Sequence, residues 1–204
     1  MNNFNDRAKT WDENPMHFER SSTIAEIMKR KISLHKKMDA MEYGAGTGIL
    51  SFLLKDEVRH ITMMDNSREM INVMIEKTKK MESTNLHPMY LDLDTSTYFA
   101  KTFDLIFMQM VLHFIVKEKA LLTKCYNLLT TNGSIAIADI YKEDGSFHGK
   151  DFIGHKGFDI DELSKTMTEI GYKNIRHEQC FVVNKVIESG ETKEFPIFLL
   201  IADK

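Results

Sequence analysis

Met38-Asp39-Ala40-Met41-Glu42-Tyr43-Gly44-Ala45-Gly46-Thr47-Gly48-Ile49-Leu50-Ser51-Phe52-Leu53-Leu54 sets three glycines at alternate positions between two mostly apolar runs. The order predicts a strand, a tight turn and a helix. Glycine has no Cβ and tolerates positive φ, so a turn of this kind can press bare backbone N–H groups against a ligand. The stretch therefore predicts a cofactor cradle.

A phosphate-binding P-loop ends in Gly-Lys-Ser/Thr, and no lysine follows these glycines, which argues against ATP or GTP held in that manner. A dinucleotide turn reads G-x-G-x-x-G or A, with a small last residue. Counted from Gly44 that position is Ile49; counted from Gly46 it is Ser51, which is small enough if the strand runs on through Gly44. NAD stays open on this second count.

The 204 residues are 43% hydrophobic and 28% charged, the make-up of a soluble globular chain, and predict a single domain over residues 1–204. A net charge of −3 argues against nucleic acid as the main partner. Cys125 and Cys180 lie far apart, giving neither a disulfide framework nor a metal-binding spacing, and no metal site is expected. No run approaches the roughly twenty apolar residues needed to span a bilayer, and the polar N-terminus has no signal-like apolar stretch. A cytoplasmic protein without membrane attachment, monomeric or homodimeric, is the expectation.

Upstream of the glycines, residues 1–36 read as an arm with scattered aromatics followed by a helix that Ser21-Ser22-Thr23 would cap and that runs to about His35. The basic run Lys29, Arg30, Lys31, Lys36 and Lys37 reads as a solvated helix end. Downstream, His60 to Asp65 is a strand ending in an acid, and Asn66 with Glu69 predicts a helix start. Asp65 lies 17 residues after Gly48, close to where an α/β nucleotide site places the carboxylate that accepts both ribose hydroxyls.

Further strands are expected over Leu86 to Leu91, Phe103 to Gln109 and Ser134 to Ile140, with a helix from about Lys117 to Leu129 stopped at Asn132-Gly133. Residues 141–158 form an irregular loop rich in glycine, aromatics and titratable groups. Asp159 and Glu162 open a helix that Gly171 stops. Two last strands, about Asn174 to Val186 and Glu194 to Ala202, form a hairpin. The alternation predicts a doubly wound, mostly parallel α/β sheet with helices on both faces. Fourteen methionines fall mostly on predicted buried faces and read as core filler.

Glu42-Tyr43-Gly44-Ala45-Gly46-Thr47-Gly48, an acid and one apolar residue before G-x-G-x-G, resembles the first motif of class I S-adenosylmethionine-dependent methyltransferases. The resemblance covers roughly residues 36–184 and implies a Rossmann-like sheet of seven strands, the last antiparallel. It implies S-adenosylmethionine as cofactor and S-adenosylhomocysteine as product. Gly44, Ala45, Gly46 and Gly48 would approach that cofactor, Glu42 would sit near its cationic parts, and Asp65 with Asn66 would lie at its ribose. Asp92 would accept from the adenine amino group, Leu93 would pack on the ring, and Gln109 would end the strand beneath the sulfonium. In proteins of this kind the arm covers the site, which makes Trp11, Asp12, Met16 and Phe18 wall candidates.

Alkyl transfer from a sulfonium requires mainly that two reactants be held in line. A missing catalytic triad is then no objection. Where the nucleophile must lose a proton, His113, Tyr141, His148 and His155 are the candidate bases. A small-molecule acceptor is the leading expectation, given a short insert and a mildly acidic chain. The alternatives are a methyltransferase of RNA or protein, served by the basic helix end, and a non-catalytic module binding S-adenosylmethionine or NAD.

Overall fold

A computed structural model describes residues 4–93, 95, 96, 98 and 100–204. Seven strands form one sheet: β1 (Asp39–Tyr43), β2 (His60–Asp65), β3 (Leu86–Tyr90), β4 (Phe103–Gln109), β5 (Leu129–Ile140), β6 (Lys173–Val186) and β7 (Thr192–Asp203). Their order is β3-β2-β1-β4-β5-β7-β6. β1 to β5 pair in parallel, and β7 runs antiparallel between β5 and β6. This is the doubly wound Rossmann-like methyltransferase architecture. The order reverses direction at β1 and β4, whose carboxyl ends flank the crevice where open α/β sheets bind ligands.

The helices are α1 (Phe4–Arg7), α2 (Pro15–Lys31), α3 (Ile49–Leu54), α4 (Arg68–Lys80), α5 (Glu118–Leu128) and α6 (Ile160–Ile170). Strand side chains alternate between faces. Ala40, Ile61, Met63, Leu105, Phe107 and Ala138 meet α2, α3 and α4 on one side. Met41, Met64, Ile106, Met108, Ile135 and Ile137 meet α5 and α6 on the other. Met63, Met64, Met70, Met74 and Met108 are all buried.

Four expected boundaries are corrected. Helix α2 starts at Pro15, not at Ser21: Asn14 accepts the Met16 N–H, and proline at the first helical position has no N–H to leave unpaired. Ser21 instead donates to the His17 carbonyl within the helix, which ends at Lys31 rather than His35. Helix α4 is capped by Ser67 rather than Asn66, through the Met70 N–H at 3.2 Å. Asn132-Gly133 does not stop α5, which ends at Leu128; Asn132, at φ +73°, kinks the entry of β5 where its pairing with β4 shifts register.

Candidate active site at the carboxyl edge of the sheet

A cavity of about 770 Å³ opens over the carboxyl ends of β1, β2 and β4. Its floor is the turn from Glu42 to Thr47, Asp65 with Asn66, and the segment from Gln109 to Ile115. The arm closes it from above with Trp11, Met16, His17 and Arg20, while Phe147, His148 and Lys185 close the far end. Asp12 fastens the arm to the glycine turn by accepting from the Thr47 hydroxyl and, at 2.8 Å, from Lys77 Nζ. Asn5 accepts from the Ser67 hydroxyl at 2.6 Å. Phe18 is 55% exposed and forms no part of the wall.

The glycines do different work along the turn. Gly44 sits at φ +68°, and a Cβ there would come within 2.4 Å of Val111, so side-chain crowding excludes one. Gly46, at φ +57°, would meet nothing within 4 Å; its missing side chain leaves open space on the cavity side. The Gly46 N–H donates to Asp65 Oδ2 at 2.7 Å, and the Ser67 N–H donates to Asp65 Oδ1 at 2.8 Å. Asp65 thus locks the glycine turn onto the start of α4. The Asn66 N–H acts on the same carboxylate, so three backbone N–H groups hold it at the cavity floor. Burial pushes the Asp65 carboxyl above its ordinary range, against the pull of those N–H groups. Asp65→Asn should weaken S-adenosylhomocysteine binding by about 1.5–3 kcal/mol, the scale of a charge-assisted hydrogen bond. Calorimetric titration checks it, and an unchanged affinity would remove Asp65 from the ligand contacts.

Glu42 lies beneath the turn, 3% exposed, and its carboxyl oxygen accepts from both the N–H and the hydroxyl of Ser51. Burial pushes it up to about 8 despite those bonds. Ser51 is therefore the partner of Glu42. Because β1 ends at Tyr43, the dinucleotide count that needed a strand through Gly44 does not describe this turn. Asp92 accepts from the Tyr43 hydroxyl at 3.2 Å and from Asn66 Nδ2 at 3.4 Å, one layer behind the cavity wall. Leu93 is fully buried in the core below and does not line the cavity; Leu91 does.

Of the four candidate bases, two reach the cavity. His113 is 1% exposed; its Nδ1–H donates to Asp139 Oδ1 at 2.6 Å, and its backbone N–H donates to Asp139 Oδ2 at 3.2 Å. In the neutral ring, a proton held on Nδ1 by this contact leaves a lone pair on Nε2. That Nε2 is buried and has no partner among the described residues. His148 stacks on the His113 ring at 4.9 Å and on Phe152 at 4.1 Å. Burial, then the neighbouring His113 and Lys185, push His148 down to about 4.

His155 and Tyr141 are corrected. His155 Nε2 is held by the Ile115 carbonyl at 2.9 Å and Glu118 at 3.1 Å, outside the cavity lining. It pins the loop to the start of α5. Tyr141 bridges to Phe158 and packs its ring on Phe198 at 5.3 Å, away from the site. Gln109 lines the cavity, donates to the Ser21 hydroxyl at 3.0 Å, and keeps a buried Oε1 that has no partner among the described residues.

Two site residues escaped the sequence reading. Asp139 is fully buried in Ser134-Ile135-Ala136-Ile137-Ala138-Asp139-Ile140, and an acid inside a small, β-branched strand was the available signal, since carboxylates are seldom buried unpaired. Arg20, 6% exposed, was hidden by the misplaced helix start.

A family model described as "Methyltransferase domain" matches residues 34–194. An uncharacterized methyltransferase of Schizosaccharomyces pombe is 31% identical over 119 residues, which make up 55% of this chain and 42% of the yeast protein, so the chain spans less than half of that relative. Among solved structures, phosphoethanolamine N-methyltransferase 2 of Haemonchus contortus in complex with S-adenosyl-L-methionine superposes with a TM-score of 0.72 at 13% identity, over 100% of this chain and 60% of that one. A SAM-dependent methyltransferase of Aquifex aeolicus gives 0.61 at 20% identity, covering 86% and 88%. The chain belongs to the methyltransferase-domain family.

Proposed function

We propose that this enzyme methylates a small molecule, and that His113 receives the proton its nucleophile gives up. The enclosure of the cavity carries the reading. The arm is fastened over the glycine turn by Asp12 and Asn5, and aromatic rings line the other end, which leaves room for a cofactor and a compact acceptor.

The residues fit the family's cofactor on one structural observation: the space a Cβ at Gly46 would fill is open, between the acids Glu42 and Asp65. Those three residues would hold it, with Asn66 and Gln109 along its length. When bound, it supplies a methyl group on a positively charged sulfur, an electrophile that needs no metal. The chain then has to hold the acceptor in line, keep water out and take a proton. His113 Nε2 is placed for the last task, because Asp139 fixes the ring's tautomer and orientation. His148, kept neutral by burial, adds no charge beside the imidazolium that forms.

The basic helix end gives the macromolecular reading less support than its sequence suggested. Lys29 faces Glu26 and Glu57, and Arg30 and Lys31 face Glu178, so these cations are already matched by acids. Incubation with methyl-labelled cofactor should label acceptors in a panel of hydroxylated and amino metabolites and leave tRNA, rRNA and bulk protein unlabelled. Label only in the macromolecules would overturn the reading, and product binding without any transfer would favour a sensor.

A further inference from the structure

We propose that Arg20 anchors an oxyanion-binding subsite at the β5–β6 end of the cavity, and that the methyl acceptor is a small anionic molecule bearing a carboxylate or phosphate. The inference rests on the small-molecule reading and names its substrate class.

Arg20 projects from α2 into the cavity lining with only 6% of its surface exposed. Among the described residues its Nε has no hydrogen-bond partner, and its Nη1 reaches only the Met16 sulfur at 3.7 Å. Among the described residues no carboxylate forms an ion pair with it. The acid that acts on it most strongly is Asp139, but the hydrogen bonds of Asp139 go elsewhere, from His113 Nδ1 and the Ile140 N–H to Oδ1 and from the His113 N–H to Oδ2. Arginine is almost never buried without a partner, and an uncompensated charge in such a place is costly. A planar guanidinium presents donors in a fork that matches a carboxylate or phosphate. The missing partner is thus an anion that arrives with a ligand.

The surroundings agree in sign. Arg7, at the cavity mouth over the Trp11 ring, and Lys185, from β6 over the Phe147 ring, line the same cavity. The acids in the lining, Glu42 and Asp65, sit at the glycine-turn end on β1 and β2. Between Asp65 on β2 and Asp139 on β5 lie β1 and β4, so the two ends are about three strand spacings, roughly 14 Å, apart. The basic end therefore belongs to whatever lies beyond the cofactor. Rings of Trp11, Phe114, Phe147 and His148 could by themselves cage a cationic amine, but three cations in the same wall repel one. The rings suit a flat apolar body carrying the anion.

Benzoate and phenyl phosphate, with benzyl alcohol as neutral control, test this by titration into enzyme saturated with S-adenosylhomocysteine at matched ionic strength. Wild type should bind at least one of the anions and not the alcohol. Arg20→Gln should weaken that anion roughly tenfold to hundredfold, the range of charge-assisted bonds, Arg20→Lys should recover part of it, and Lys185→Gln should weaken it less. Affinity for S-adenosylhomocysteine should be the same in all variants, which also reports that they fold. Failure of both anions to bind wild type, or equal binding by Arg20→Gln, overturns the proposal. So does an equal loss of S-adenosylhomocysteine affinity in Arg20→Gln, because the guanidinium would then hold the cofactor's own carboxylate. In each of those outcomes labelled methyl transfer to a neutral metabolite would leave the small-molecule reading standing.

Discussion

His113→Gln should lower kcat by roughly 10²- to 10⁴-fold, the usual worth of a positioned base, with S-adenosylhomocysteine affinity unchanged. The expectation follows from a single orphaned atom. His113 Nε2 is buried on the cavity wall with no partner among the described residues, while its other nitrogen is fixed by Asp139 at 2.6 Å. Asp139→Asn should cost nearly as much. Its amide can offer an N–H to Nδ1, which moves the ring proton to Nε2 and removes the lone pair that has to accept. Because the two residues act as a unit, the double variant should be little worse than either single one. Single-turnover rates with saturating cofactor measure this. If Asp139→Asn kept full activity while His113→Gln lost it, the tautomer argument would fail; if both kept it, proton transfer to His113 would not be part of the reaction.

Much of the fold could be read from the chain because the signals were local. The strands ending at Gln109 and Asp65 and the cap at Asp159 each depend on residues within a few positions of one another, and the structure keeps them. The glycine-turn end of the cavity was legible for the same reason: the alternate glycines and the acid ending the next strand form a short-range pattern, and both line the cavity. The acceptor half was not. His113 meets Asp139 across 26 residues, and Arg20 reaches the same end of the cavity from a helix that begins before the first strand. Nothing local distinguishes His113 from His155, yet one lies on the cavity and the other props the loop on Ile115 and Glu118. The error over Leu93 has a similar origin. Strand β3 ends at Tyr90, and the chain turns so that Leu91 faces the cavity while Leu93 drops into the core.

Glu42→Gln should make the ligand-free enzyme more stable at pH 8 and flatten the decline in stability that wild type shows between about pH 4.5 and 8. The sign follows from the direction of the shift. Glu42 has an ordinary value of 4.5 when unfolded and is pushed to about 8 in the folded chain, first by burial and further by Asp65. A group raised on folding favours the folded state in its protonated form. Its contribution is complete below pH 4.5 and is lost as pH climbs, because the unfolded chain releases the proton first. Above pH 8 the cost of the buried charge levels off at a few kcal/mol, set by about 1.4 kcal/mol for each tenfold change in proton affinity. A ligand that brings a cation to the cavity should reverse the penalty by drawing the proton off Glu42. Wild-type binding of S-adenosylhomocysteine at pH 7 should accordingly release up to about one proton more than the glutamine variant, seen as a buffer-dependent heat in calorimetry. Stability curves with the same pH slope in both proteins would show that Glu42 is already ionised in the empty site, and its carboxylate would then act as a fixed charge from the outset.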